Sequence, residues 1–233
     1  MSVADVFADL RILWHMLRGQ PRHGDRMQSL EAFYAPQADH YDTFRARLLQ
    51  GRGEMIRMLA PAAHAHLVEL GCGTGANLIH LADRLDRLGR VDLVDLCPSL
   101  LEKARQRAMP YRNVKVIQAD ACTYEPDGPV DCVYFSYSLT MIPDWRCALD
   151  NALCMLRPGG RLGLVDFYLP QQGGFANYLW QRWFAHDGVY LSASHLPALC
   201  GRLPNHVYQQ RRAAIPYLPG LRVPYYLFVG NKP

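Results

Sequence analysis

Leu67-Val68-Glu69-Leu70-Gly71-Cys72-Gly73-Thr74-Gly75-Ala76 is the stretch on which the fold turns. Four residues of strand character run into glycines at every second position, and a helical pattern follows from Asn77 to Leu88. Glycine accepts the positive φ of a tight strand-to-helix turn and, having no Cβ, lets a ligand lie against bare backbone. The same spacing satisfies G-x-G-x-x-A, the dinucleotide fingerprint, so the turn alone leaves its ligand open.

Working outward, short aliphatic or β-branched runs at 67–70, 91–94, 114–117, 130–135 and 162–167 alternate with helical patterns at 77–88, 99–108 and 145–156. That alternation predicts an α/β fold, a mostly parallel twisted sheet with helices on both faces. Pro158-Gly159-Gly160 is expected to stop the third helix and introduce the fifth strand. Strand candidates at 206–210 and 223–229 add an antiparallel C-terminal ending. Ahead of the core, Val3, Phe7, Leu10, Trp14 and Leu17 make one apolar helical face, and helical pattern resumes at 26–34 and 36–59 until Pro61. The expected organisation is an N-terminal helical extension or lid over 1–60 and a core over 61–233. An aromatic insertion near 172–190 carries Phe175, Leu179 and Trp183.

The 233 residues are 50% hydrophobic and 20% charged, which suits one globular domain and excludes disorder, collagen and coiled coil. Asp5, Asp9, Arg11 and Arg18 interrupt the best N-terminal candidate for a membrane span, so neither a transmembrane helix nor a secretory signal is expected. Seven cysteines without paired spacing read as reduced thiols of a cytoplasmic protein. His64-Ala65-His66 lacks further ligands at metal spacing, so no metal is expected. The net charge of +4 is uneven, because no acid follows Asp187 while Arg202, Arg211, Arg212, Arg222 and Lys232 do.

Three further features separate the candidates for the glycine turn. Asp95 ends the second strand, twenty residues past Gly75, where a carboxylate can accept both hydroxyls of a ribose. Asp120 ends the third strand, and Pro158-Gly159-Gly160 precedes the fifth; neither belongs to the dinucleotide fingerprint. Each aspartate alone reads equally as a helix cap or a loop charge. Together the set resembles the class I S-adenosylmethionine-dependent methyltransferases, which implies a Rossmann-like fold and a metal-free transfer that leaves S-adenosylhomocysteine. The resemblance assigns Glu69, Gly71, Cys72, Gly73 and Gly75 to the methionyl part of the cofactor. It assigns Asp95 with Leu96 to the ribose, Asp120 with Ala121 to the adenine, and Ser136 to the same site. By analogy Ser136-Tyr137-Ser138-Leu139-Thr140-Met141-Ile142-Pro143 faces the methyl group. An Asn-Pro-Pro-Tyr tetrapeptide and a Pro-Cys nucleophile are both missing, which argues against a nucleic-acid substrate despite the basic tail.

A narrower resemblance rests on segments outside the core. Tyr41-Asp42, within 33–45, resembles the N-terminal lid of small-molecule and lipid N-methyltransferases, which implies that Tyr41 closes over the cofactor. The segments 34–37, 47–52, 183–189, 215–219 and 221–230 resemble the methyltransferase portion of betaine-lipid synthases. That family trimethylates the amino group of diacylglyceryl-homoserine at a membrane surface, a separate enzyme or domain supplying the precursor. The cytoplasmic face of the inner membrane is then the expected place of work. Tyr137, Tyr41 and His186, with Asp187 beside it, are the candidate catalytic side chains. Arg47, Arg52 and Arg222 are candidates for a substrate carboxylate, and Tyr137 for holding the substrate amine, since a trimethylated cation is best held by aromatic faces. Phosphatidylethanolamine or a soluble amine are alternative acceptors, and an inactive cofactor-binding subunit is the alternative of another class.

Overall fold

The computed structural model describes residues 27–28, 31–32, 48–170, 181–182, 184–185, 188–215 and 220–233. The expected N-terminal helix at 3–18, the Tyr41 segment, and Phe175, Leu179 and Trp183 lie outside the described residues.

Seven strands form one sheet: β1 His66–Leu70, β2 Arg90–Asp95, β3 Val114–Gln118, β4 Val130–Ser136, β5 Leu156–Phe167, β6 Asn205–Ala214 and β7 Arg222–Asn231. Their spatial order is β3-β2-β1-β4-β5-β7-β6. β1 to β5 run parallel, and β7 enters antiparallel between β5 and β6. The order reverses between β1 and β4, and ligands of open α/β sheets bind at the carboxyl ends of the strands at such a switch point.

Side chains alternate across the strands and build two cores. Leu67, Leu93, Tyr134 and Val165 face α1 (Arg52–Leu59) and α2 (Pro98–Ala108). Val68, Val94, Phe135 and Leu164 face α3 (Trp145–Met155) and α4 (His195–Arg202). Asp92 is one of the acids inside the second layer: fully buried, it accepts from His66 Nε2 at 2.7 Å, Arg90 Nε at 2.7 Å and the Tyr124 hydroxyl at 2.9 Å. Burial pushes its carboxyl up, but the three donors outweigh that and hold it below its ordinary value.

Three local expectations are corrected. Residues 77–88 form no α-helix but two 3-10 segments, Ala76–His80 and Leu85–Arg87. Their amides bond three residues back, Leu78 to Gly75, Leu81 to Leu78, Arg84 to Leu81 and Arg87 to Arg84. Leu78, Leu81, Leu85 and Leu88 are buried all the same, so the apolar pattern reported the buried face and not the hydrogen-bonding type. The expected helix over 36–59 is interrupted at Gly51, whose φ of 82° starts α1 afresh at Arg52. A Cβ at Gly51 would meet Tyr225 Cε2 at 2.8 Å. Pro158-Gly159-Gly160 lies inside β5, opposite the register shift between Val130 and Cys132, and Gly159 and Gly160 exchange backbone bonds with Lys232. These residues make a bulge that holds the last strand rather than a breaker ahead of the fifth.

Asp92→Ala leaves His66 and Arg90 without their buried partner, and is expected to cost about 3 kcal/mol or more in urea denaturation at neutral pH. Because the native carboxyl titrates below its ordinary value, that stability is lost as pH falls through the native value, and wild type and variant converge in acid.

Candidate active site

The turn after β1 is held open by three positive φ angles, 75° at Gly71, 55° at Gly73 and 68° at Gly75. At Gly71 a Cβ would lie 2.4 Å from Ser138 Cβ, so the turn and the segment after β4 touch through bare backbone. The Gly71 and Cys72 amides both donate to the Val94 carbonyl, and the Gly73 amide donates to Asp95 Oδ2 at 2.7 Å. Asp95 Oδ1 accepts the Cys97 amide at 2.9 Å at the start of α2. Glu31, far back in the sequence, accepts the Ser99 amide at 3.1 Å and the Cys97 thiol at 3.2 Å, capping a helix that has no cap of its own.

One pocket runs along the carboxyl edge of the sheet and is lined by residues from four strand ends. Asp120 and Ala121 follow β3, Asp95 ends β2 and Leu96 follows it, Gly71 to Gly73 follow β1, and Ser136 ends β4 with Tyr137 next. Glu69 and Arg52 line it from beneath that edge and from α1. Gly75 does not line the pocket; it packs beneath α2, where a Cβ would come within 3.2 Å of Leu93 and 3.3 Å of Ala104. Arg222 is exposed at the start of β7 and is also outside the lining. Tyr41, Arg47, His186 and Asp187 fall outside the described residues.

Glu69 is buried, and it accepts from Asn77 Nδ2 at 2.6 Å and the Tyr134 hydroxyl at 2.7 Å. Burial raises its carboxyl to about 7, against the opposing pull of those two donors and of Arg52. Tyr137 takes a left-handed φ of 55°, a conformation costing a non-glycine residue about 1–3 kcal/mol. It is retained by its hydroxyl donating to the Gln50 carbonyl at 2.6 Å and by its ring on Phe167, centroids 4.6 Å apart. Phe184 continues the row at 5.0 Å from Phe167. The rest of this segment is pinned as well: Ser138 Oγ donates to the Leu70 carbonyl, and Thr140 gives both its amide and its hydroxyl to buried Asp166. Burial raises the Asp166 carboxyl to about 6 in spite of these donors.

Sequence reading missed Asn77, Glu31 and the Thr140–Asp166 pair. Asp166 left a signal, a carboxylate amid the apolar run Leu162 to Phe167, which in a buried strand needs a partner. Asn77 and Glu31 left none, since their partners are set by the chain's path.

Residues 67–160 match the family model described as Methyltransferase domain. The chain is 30% identical over 176 residues to a 2-phytyl-1,4-naphtoquinone methyltransferase of Thermosynechococcus vestitus, covering 72% of this chain and 77% of that protein. A demethylmenaquinone methyltransferase of Bacillus licheniformis is 26% identical over 125 residues, and there the match spans about half of each protein, 53% and 54%. Among solved structures, phosphoethanolamine N-methyltransferase 2 of Haemonchus contortus with bound S-adenosyl-L-methionine superposes with a TM-score of 0.69 at 14% identity, over 91% of this chain and 61% of that one. The chain belongs to the class I S-adenosylmethionine-dependent methyltransferases.

The residues present fit that cofactor. Among the described residues, Ser136 Oγ and Asn77 Oδ1 are buried in the pocket lining without a protein partner, and the pocket brings the carboxylates of Glu69, Asp95 and Asp120 to a ligand that carries a sulfonium and an ammonium. Positive ligand charge favours the ionised form of Glu69, so binding releases a proton when the pH lies below about 7. S-adenosylmethionine affinity is expected to rise about tenfold between pH 6 and 8 by calorimetry, with most of that slope absent in Glu69→Gln. For the empty protein the sign is opposite: neutral Glu69 contributes stability that is lost as pH rises through about 7.

Proposed function

We propose that this methyltransferase acts on the amino group of a lipid headgroup, converting diacylglyceryl-homoserine to its trimethylated betaine lipid. The observation that carries the reading is the row Tyr137, Phe167 and Phe184, which starts in the cofactor pocket and leads away from it, with Arg52 in the same pocket. Aromatic faces suit an amine that ends as a fixed cation, and a guanidinium suits the carboxylate that homoserine carries. The sequence likeness of 34–37, 47–52, 183–189, 215–219 and 221–230 to betaine-lipid synthases supports the same acceptor. Among the described residues no helix is long and apolar enough to cross a membrane, so the lipid would be met at its surface. Another enzyme would supply the homoserine lipid.

S-adenosylmethionine supplies an electrophilic methyl group, and the chain's work is to hold a neutral amine in line with it. In this reading the glycine turn, Asp95 with Leu96, Asp120 with Ala121, and Ser136 hold the cofactor, and Arg52 fixes the headgroup. Tyr137 presents its ring; its phenol, pushed well above the ordinary value by burial, stays protonated on Gln50 and is not the base. An α-amino group titrates near 8, so a neutral fraction exists at pH 7 and proton removal before attack needs no strong base. Tyr41 as lid and His186 as proton acceptor remain part of the proposal from their sequence positions.

A second reading is favoured by the named relatives, two of which methylate quinones by their descriptions. The deciding assay incubates the purified chain with methyl-labelled S-adenosylmethionine and vesicles carrying diacylglyceryl-homoserine, phosphatidylethanolamine or a demethylated quinone. Label is expected in the homoserine lipid, in mono-, di- and trimethylated species by mass spectrometry. Label only in the quinone or only in phosphatidylethanolamine overturns the proposal, and so does no transfer from a chain that still binds cofactor.

A further inference from the structure

Two of the seven cysteines, 25 positions apart, meet in space beside the cofactor pocket. Cys122 lies two residues past Asp120 in the loop after β3, and Cys147 lies in the first turn of α3. Cys147 Sγ donates to the Cys122 carbonyl at 3.8 Å, and Cys122 Sγ donates to the Asp144 carbonyl at 3.7 Å, one residue before α3. Both are partly exposed, whereas Cys72, Cys97 and Cys132 are buried. The loop matters because Asp120 and Ala121 line the pocket. Helix α3 already grips it one turn further on, where Asn151 Nδ2 donates to the Ala121 and Tyr124 carbonyls at 2.9 and 3.0 Å.

We propose that Cys122 and Cys147 are an oxidisable pair, that a hydroperoxide converts them to a disulfide, and that this bond weakens cofactor binding. Cys147, at the amino end of a helix, attacks one peroxide oxygen through its thiolate; the O–O bond breaks, hydroxide leaves, and a sulfenic acid remains. Cys122 Sγ then forms the S–S bond and displaces the sulfenic oxygen as water. Two thiols lose two electrons and two protons, and one hydrogen peroxide becomes two waters. The order follows from position: Cys147 sits at the amino end of α3, whereas burial and next Asp120 push the Cys122 thiol up, which disfavours its thiolate. Drawing the two sulfurs to about 2.05 Å pulls the loop towards α3 and moves Asp120 and Ala121 relative to the glycine turn.

The test reads cofactor binding, so it stands apart from the identity of the methyl acceptor. The full chain is treated with hydrogen peroxide, alkylated and peptide-mapped, and S-adenosylhomocysteine binding is measured before treatment, after it, and after dithiothreitol. A peptide cross-linked through Cys122 and Cys147 is expected, with Kd raised about fivefold or more and restored by the reductant. Cys147→Ser and Cys122→Ser are expected to bind as the untreated chain does and to keep that affinity under peroxide. The proposal is overturned if the cross-linked peptide is absent, if it forms without changing Kd, or if Cys147→Ser loses affinity as the wild type does. The peptide map of the unsubstituted chain decides the first point whether or not either variant folds.

Discussion

The carboxylate of Asp95 is the joint on which the site depends. One oxygen takes the Gly73 amide and the other the Cys97 amide, so the end of β2, the turn after β1 and the start of α2 are fixed by a single side chain. These backbone bonds also fix the orientation of a carboxylate that lines the pocket. The anchored turn in turn brings Gly71 against Ser138, and Ser138 ties the segment after β4 to the Leu70 carbonyl.

The basic tail of the sequence does not give a basic pocket. Arg211 pairs with Glu54 at the start of α1, and Arg202 pairs with Asp150 on α3, so acids from earlier in the chain meet the arginines that lack any near them in sequence. The pocket instead gathers Glu69, Asp95 and Asp120 around one lining arginine, Arg52. Linear charge asymmetry thus said little about the ligand, whereas the positions of three acids relative to strand ends said much.

Legibility followed the range of the physical cause. Alternating burial and the strand–helix rhythm are local, and they yielded all seven strands and the carboxyl-edge site. The glycines at 71 and 73 and the acids at 95 and 120 were also legible, because turn geometry and position at a strand end constrain residue type. What escaped depends on chain segments meeting at a distance. Gly51, where the helical pattern breaks, lies against Tyr225, and Gly159 sits in a bulge whose backbone pairs with Lys232. Asn77 looked like the first residue of a helix and is the partner of Glu69. Arg222, chosen from a resemblance, lies on the correct edge of the sheet but outside the pocket.

The placement of β7 bears on how the chain is made. β6 is synthesised first, yet among the described strands it neighbours β7 alone, and β7 also pairs with the outer edge of β5. While the ribosome is still extending the chain past Ala214, the edges of β5 and β6 that β7 will fill are open, and among the described residues no earlier strand pairs with either. The sheet closes in one late insertion, and until then those edges are open to pairing with other chains.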